Sequence, residues 1–267
     1  MTYSIGFIMT HTSTLKLLVQ ISKRQSVSKI AKKIFAATLL TGTALTALAN
    51  ENAQCLDSTS QIKADYNIRI IPLANANVHS HVQYNPKDLS QTFTLWRMDN
   101  LVAHQQHNIQ ITEVWHQTSN QQYQLIKHFD QYSRAIEYEP SDYKILDKVV
   151  FWDTKYSLFP LAEQFVQTQK ESFDCYDLIT YEKNTEQTKE KILWRTDVNL
   201  AVGYQSENPN RIITWKMQEM NHNPQQVADF FKEKRNDPTI DYADIGDNEN
   251  DPFLAQMINQ GFVAHSH

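Results

Sequence analysis

From about Asn67 onward the chain falls into short runs in which apolar and polar residues alternate. Phe93, Leu95 and Arg97 alternate with Thr94, Trp96 and Met98, a period of two that predicts a strand, and Asn100 breaks the run. Ile109, Ile111, Glu113 and Trp115 repeat the pattern, and residues 118–121 read as a hairpin turn. Tyr123, Leu125, Lys127 and Phe129 make the next strand, and Arg134, Ile136 and Tyr138 the one after. Strands separated by such short turns predict an antiparallel meander. Residues 50–66, ahead of this region, are polar and read as an irregular or helical lead-in.

The middle of the chain loses the period of two. Ile145, Val149, Val150, Trp152, Leu158, Leu161 and Phe165 are spaced irregularly, which predicts one or two helices between Asp142 and Val166, interrupted at Pro160. Strands then resume around Cys175, Asp177, Ile179 and Tyr181, around Ile192 and Trp194, around Leu200, Val202 and Tyr204, and around Ile213, Trp215 and Met217, with a turn at 206–210. Pro224, after Asn223, opens a helix to about Lys234 that turns Val227, Phe230 and Phe231 inward. Asp251-Pro252 opens a last short helix, which Gly261 ends. The predicted class is α+β: a large antiparallel sheet or incomplete barrel, with a central helical insertion and C-terminal helices.

The N-terminus follows a different rule. Lys29, Lys32 and Lys33 precede an apolar stretch over 34–45, too short to span a bilayer, and Ala47-Leu-Ala49 is a small-x-small cleavage site. Residues 1–49 carry six basic side chains and no Asp or Glu. This predicts a cleaved secretory leader over 1–49, with Val27 as an alternative start if its codon is GTG. A domain over 50–234 follows, and then an acidic loop, short helix and His-containing tail over 235–267.

Removing the leader leaves 19 basic residues against 30 acidic ones, a charge of −11 in place of −5. Such a chain lacks the basic footprint of a nucleic-acid binder, and nothing after residue 49 is long and apolar enough to cross a membrane as a helix. Export also changes the reading of Cys55 and Cys175: in an oxidising compartment they are expected to pair as one disulfide. The glycines after the leader are Gly203, Gly246 and Gly261, too few and too scattered for a phosphate-cradling loop.

Two passages are similar to the LolA/LolB-type periplasmic fold. One runs from Thr92-Phe-Thr-Leu-Trp-Arg97 to Gln110-Ile-Thr-Glu-Val-Trp115. The other comprises Lys191-Ile-Leu-Trp-Arg195, Asn199-Leu-Ala-Val-Gly-Tyr204, Arg211-Ile-Ile-Thr-Trp215 and Met217 to Pro224. The resemblance covers most of 67–231 and implies an incomplete antiparallel barrel with helices over an apolar mouth. Members carry lipoproteins or acyl chains between membranes, so it also implies a periplasmic, monomeric carrier whose partner is an apolar ligand or a lipoprotein. The segment 232–267 and the cysteine pair depart from the family, and no functional family residue is matched to a position here.

Several groups carry candidate chemistry, each beside a plainer reading. Trp96, Trp115, Trp194 and Trp215 fall on predicted strands, where they either line a ligand cavity or fill an ordinary core. His79-Ser-His81 and His265-Ser-His267 are two His-x-His pairs that could chelate Zn or Cu, or be solvated polar residues. Asp241, Asp244, Asp247, Glu249 and Asp251 surround Gly246 and suit Ca²⁺ or a solvated loop, with Asp251 as a helix N-cap. Glu113, Glu137 and Glu139 offer a carboxylate pair, but no nucleophile or metalloprotease motif accompanies them, and the chain is not expected to be an enzyme. A periplasmic carrier is thus the first reading; a Zn- or Cu-binding protein and an envelope assembly factor binding a protein partner are the alternatives.

Overall fold

Alternation resolves into a single sheet in the computed structural model, which describes residues 60–73, 90–118, 122–145, 150–159, 161, 164–248 and 250–259. Its strands are β1 (Gln61–Pro72), β2 (Ser90–Met98), β3 (Leu101–Gln106), β4 (Ile111–Gln117), β5 (Tyr123–Phe129), β6 (Arg134–Tyr138), β7 (Val166–Ser172), β8 (Asp177–Asn184), β9 (Lys189–Arg195), β10 (Leu200–Asn208), β11 (Arg211–Asn221) and β12 (Thr239–Asp241). The helices are α1 (Pro140–Ile145), α2 (Trp152–Ser157), α3 (Pro224–Lys234) and α4 (Pro252–Asn259). The sheet runs in the order β12-β6-β5-β4-β3-β2-β1-β11-β10-β9-β8-β7, and only the β12–β6 pair is parallel. The expected α+β sheet with a central helical insertion and C-terminal helices is what forms.

Some expectations need correction. Residues 61–66 are not a lead-in but the first half of β1. Ile62, Ala64 and Tyr66 are buried at every second position, while Lys63 and Asp65 point the other way and pair at 2.6 Å. The run expected over 109–115 is two features: a turn at 107–110 and β4 from Ile111, preceded by the unanticipated β3. The exposed edge strand β7 and the short β12 have too little apolar alternation to announce themselves. The turn expected over 206–210 tightens to 209–210, because Asn208 Oδ1 accepts from the amides of Asn210 at 2.9 Å and Arg211 at 3.0 Å.

Residues opposite one another across a pair of strands share a face. The register Trp96–Ala103–Val114 therefore marks one face, here called outer, and Leu95–His104–Glu113–Lys127 the other, inner face. The helix α3 packs on the outer face, where Val227, Phe230 and Phe231 bury against Trp96, Ala103 and Val114. Phe230 stacks on the Trp96 ring at 4.0 Å. Asn223 caps the helix, its side chain accepting from the amides of Gln225 and Gln226, and Pro224 needs no such acceptor. Because the inner face is covered too, residues 93–97 of β2 are buried on both sides.

The cover of the inner face follows from connectivity. β6 and β7 are consecutive in the chain, yet nine strands lie between them in the sheet. The linking segment, with α1 and α2, has to traverse the inner face to reach the far edge. At the near edge the cover is the C-terminal segment: β12 extends β6, a 3₁₀ segment (Tyr242–Asn248) follows, and α4 buries Phe253, Leu254 and Met257. Tyr242 stacks on Tyr138 at 4.8 Å, and Phe253 meets Phe129 edge-on at 5.4 Å.

Phe231→Ala removes a 2 % exposed ring from the α3–sheet contact. It is expected to lower unfolding stability by about 3–5 kcal/mol, read by urea denaturation. A loss below about 1 kcal/mol would show that α3 is not part of the cooperative core.

Candidate functional site

The traversing segment lies on aromatic and polar side chains of the inner face. Arg97, in phase with Phe93 and Leu95 on β2, is fully buried beneath it. Its Nη2 donates to the Val198 carbonyl at 2.7 Å and its Nη1 to the Tyr156 carbonyl at 3.4 Å. The guanidinium also sits 4.2 Å from the centre of the Tyr156 ring. On β3, His104 Nε2 lies 2.8 Å from the Lys155 carbonyl. Lys155 Nζ sits 3.9 Å over the Trp115 ring, Trp152 stacks on Tyr123 at 6.0 Å, and Phe159 stacks on Tyr204 at 4.3 Å and meets Trp215 edge-on at 5.4 Å.

Two features make this cover weak in its own right. Helices of six residues cannot hold themselves together without tertiary support. In addition, α2 ends at Leu158, a buried residue at φ 68° and ψ −42°, where a side chain with a β-carbon is strained. Such a conformation costs on the order of 1–3 kcal/mol and persists only where the surroundings enforce it.

The electrostatics beneath the cover are those of buried polar groups held by hydrogen bonds to main-chain carbonyls. Burial pulls Arg97 below the ordinary arginine value, opposed by the phenols of Tyr156 and Tyr66. Burial likewise drives the Tyr66 phenol well above its usual range, and its hydroxyl donates to the Ala201 carbonyl at 2.8 Å. His104 is pushed down to about 4 by burial, and the Lys155 charge acts in the same direction. It is therefore neutral at pH 7, with its Nε2–H donating to the Lys155 carbonyl. Glu113 and Lys127, next along the same row, approach to 3.5 Å and are only partly buried.

The candidate residues from the sequence separate accordingly. Trp115, Trp194 and Trp215 lie on the inner face; Trp96 lies on the outer face, against α3. All four are buried at 5–8 % exposure, so each is packed in this structure. Trp194 belongs to a cluster with Ile192 and Ala201 that Phe159 and Phe165 cover. A cleft of about 570 Å³ on the outer side borders Trp96 and is otherwise lined largely by polar residues of α3 and Gln105.

His79, His81, His265 and His267 lie outside the described residues, as does Cys55. Cys175 lies in the turn before β8. In the acidic loop, Asp241 Oδ1 accepts from the Ala243 amide, and Asp251 Oδ1 accepts from the amides of Phe253 and Leu254 at 2.8 and 3.3 Å, so Asp251 is a helix cap. Asp244 and Asp247 belong to the 3₁₀ segment, and Glu249 is outside the described residues. Among the described residues no group of three or more His, Cys, Asp or Glu side chains converges as a metal site. Glu137 and Glu139 both face Gln124, and burial, then the neighbouring Glu139 charge, raises Glu137 above its usual value. Glu113 is on the opposite face, so the three carboxylates do not form one site. Arg97, His104 and Leu158 were not among the candidates. Only Arg97 carries a signal in the sequence, an arginine in phase with Phe93 and Leu95 on a strand.

No protein-family model matches the chain, and no curated protein matches it. Among solved structures, it is similar to a DUF1329 family protein from Desulfovibrio piger, with 10% identity and a TM-score of 0.31, covering 62% of this chain and 87% of that one. It is also similar to the MucA/MucB complex of Pseudomonas aeruginosa, with 9% identity and a TM-score of 0.27, covering 63% of this chain and 56% of that one. A third likeness is to PNGF-II, with 8% identity and a TM-score of 0.30, spanning 62% of this chain but only 30% of that one. These likenesses are distant, and none marks a shared family. No helix among the described residues is long and apolar enough to cross a membrane.

A neutral buried His104 has a consequence for pH. Its value when folded is about 4, against 6.5 for an ordinary histidine. Between those values the unfolded chain binds a proton that the folded chain refuses, so stability present above about pH 6.5 is lost as pH falls toward 4. His128, also depressed by burial despite its 2.8 Å contact with Asp237, adds a separate contribution of the same sign. His104→Gln is expected to remove about one proton from the uptake on unfolding in this window, measured from urea midpoints against pH. Identical pH profiles for variant and parent would remove the role given to His104.

Proposed function

We propose that residues 50–267 form a periplasmic binding or carrier protein that holds an apolar ligand, a lipid or lipoprotein acyl chain, between the inner face of the sheet and the segment that traverses it. The observation that carries this reading is the nature of the cover. It rests on inner-face aromatics including Trp115, Tyr204 and Trp215. Yet its helical part is tied down through main-chain carbonyls, by Arg97 and His104, and ends on a strained residue. A cover held in this way exchanges one set of contacts for another at modest cost. An acyl chain taking its place on the aromatic face would gain about 0.8 kcal/mol per methylene buried. No catalytic step is involved.

Export, cleavage after Ala49 and a Cys55–Cys175 disulfide belong to the same proposal. Closing so long a loop contributes about 5 kcal/mol in the chain-entropy model. One experiment addresses all three. Native mass spectrometry of the protein isolated from its own host is expected to give the mass of residues 50–267 less two hydrogens, with lipid or acylated peptide released at higher collision energy. A chain retaining residues 1–49 would overturn the export reading. Repeated absence of any apolar adduct, with the protein intact and folded, would count against the carrier reading.

A further inference from the structure

Arg97 is more than a latch needs. A neutral donor such as glutamine could bond to the Tyr156 and Val198 carbonyls without bringing a charge into an apolar face. Burying a cation costs several kcal/mol unless an anion compensates it. Around Arg97 the compensation is incomplete. Among the described residues its two acceptors are neutral carbonyls, and the titratable groups that face it are the phenols Tyr156 and Tyr66. Its buried Nε has no hydrogen-bond partner among the described residues. Nearby, His104 is neutral, and Lys155 lies over Trp115. A planar fork with donors in reserve, beside an aromatic face, suits the two oxygens of a carboxylate or phosphate better than it suits separate carbonyls.

We infer that Arg97 is the recognition point for an anionic head group on the apolar ligand, so that the protein takes anionic amphiphiles in preference to neutral ones. This rests on the carrier reading above and names the ligand class within it. The Tyr156 and Val198 carbonyls occupy the guanidinium in the closed protein. The oxygens of the head group take their place, and because Tyr156 belongs to α2, the exchange releases the cover as the ligand enters. Binding and opening are thereby coupled through one side chain, and the ligand's stronger interaction with the opened form drives the shift.

The test is isothermal titration of the exported protein at pH 8, below micellar concentrations, with dodecanoate, dodecyl phosphate and dodecanol. At least one anion is expected to bind tenfold or more tightly than dodecanol, and whichever anion is preferred identifies the head group as carboxylate or phosphate. Arg97→Met is expected to bring the anions to within about threefold of dodecanol; because it also removes the tie to the cover, the readout is the ratio of anion to dodecanol affinity within each variant. If that variant does not fold, Arg97→Lys serves instead: it loses the fork and should lower the ratio of anion to dodecanol affinity about fivefold. Equal affinity of the parent protein for all three compounds overturns the inference and leaves the carrier reading standing. So does an anion preference that survives replacement of Arg97. Failure to bind any of the three overturns both.

Discussion

Consecutive strands at opposite sides of a sheet leave the chain no short way between them. With nine strands between β6 and β7, the connection has to cross the sheet, and it crosses on the inner face. Much else follows from that constraint. Inner-face residues that would otherwise be solvated on an open sheet are buried, from Arg97 and His104 in the middle to Trp194 and Ile192 near the far edge. The crossing segment, for its part, contributes only two helices of six residues each, so its order depends on what it touches. The sheet is the scaffold, and the crossing is ordered by its contacts with it.

The two faces are consequently built on different principles. On the outer face, α3 is capped at Asn223 and buries three apolar side chains, with a stacked Trp96–Phe230 contact; this is ordinary packing and adds stability. On the inner face, the traversing segment makes aromatic contacts too, but it is fixed by hydrogen bonds from buried polar side chains to its own backbone. A buried guanidinium and a neutral buried imidazole are costly groups to place under six-residue helices. The C-terminal segment is different again, fastened to the near edge by the ion pair of Arg134 with Asp251 at 3.0 Å, as well as by Tyr242 and Phe253.

The strands with one-sided apolar alternation, and the capped helix after Asn223-Pro224, were legible in the sequence because a period of two, or a proline after a capping side chain, has few other meanings. Residues 61–66 do not stand out as a strand because Lys63 and Asp65 dilute the local hydrophobicity, though Ile62, Ala64 and Tyr66 keep the phase. β7, with the sequence Val-Gln-Thr-Gln-Lys-Glu-Ser, is an edge strand exposed along its whole length and has no apolar face to reveal it. The site was less legible. Four tryptophans on strands say nothing about which face each occupies, since a register shift of one residue reverses the side. Trp96 is thereby divided from the other three. Arg97 stood in phase with Phe93 and Leu95, but alternation alone does not reveal that a segment some sixty residues downstream will cover it.

Whether the traversing segment is a separable cover or an integral layer of the core is the central question, and native-state hydrogen exchange resolved to single amides tests it most directly. Amides of α2 should exchange through local opening at a free energy well below that of global unfolding, while those of β1 and β2 exchange only with the whole domain. Saturating dodecanoate should change exchange in α2 and leave α3 untouched. Exchange of α2 at the same free energy as β1 and β2, with no response to ligand, would contradict a binding face beneath a movable cover.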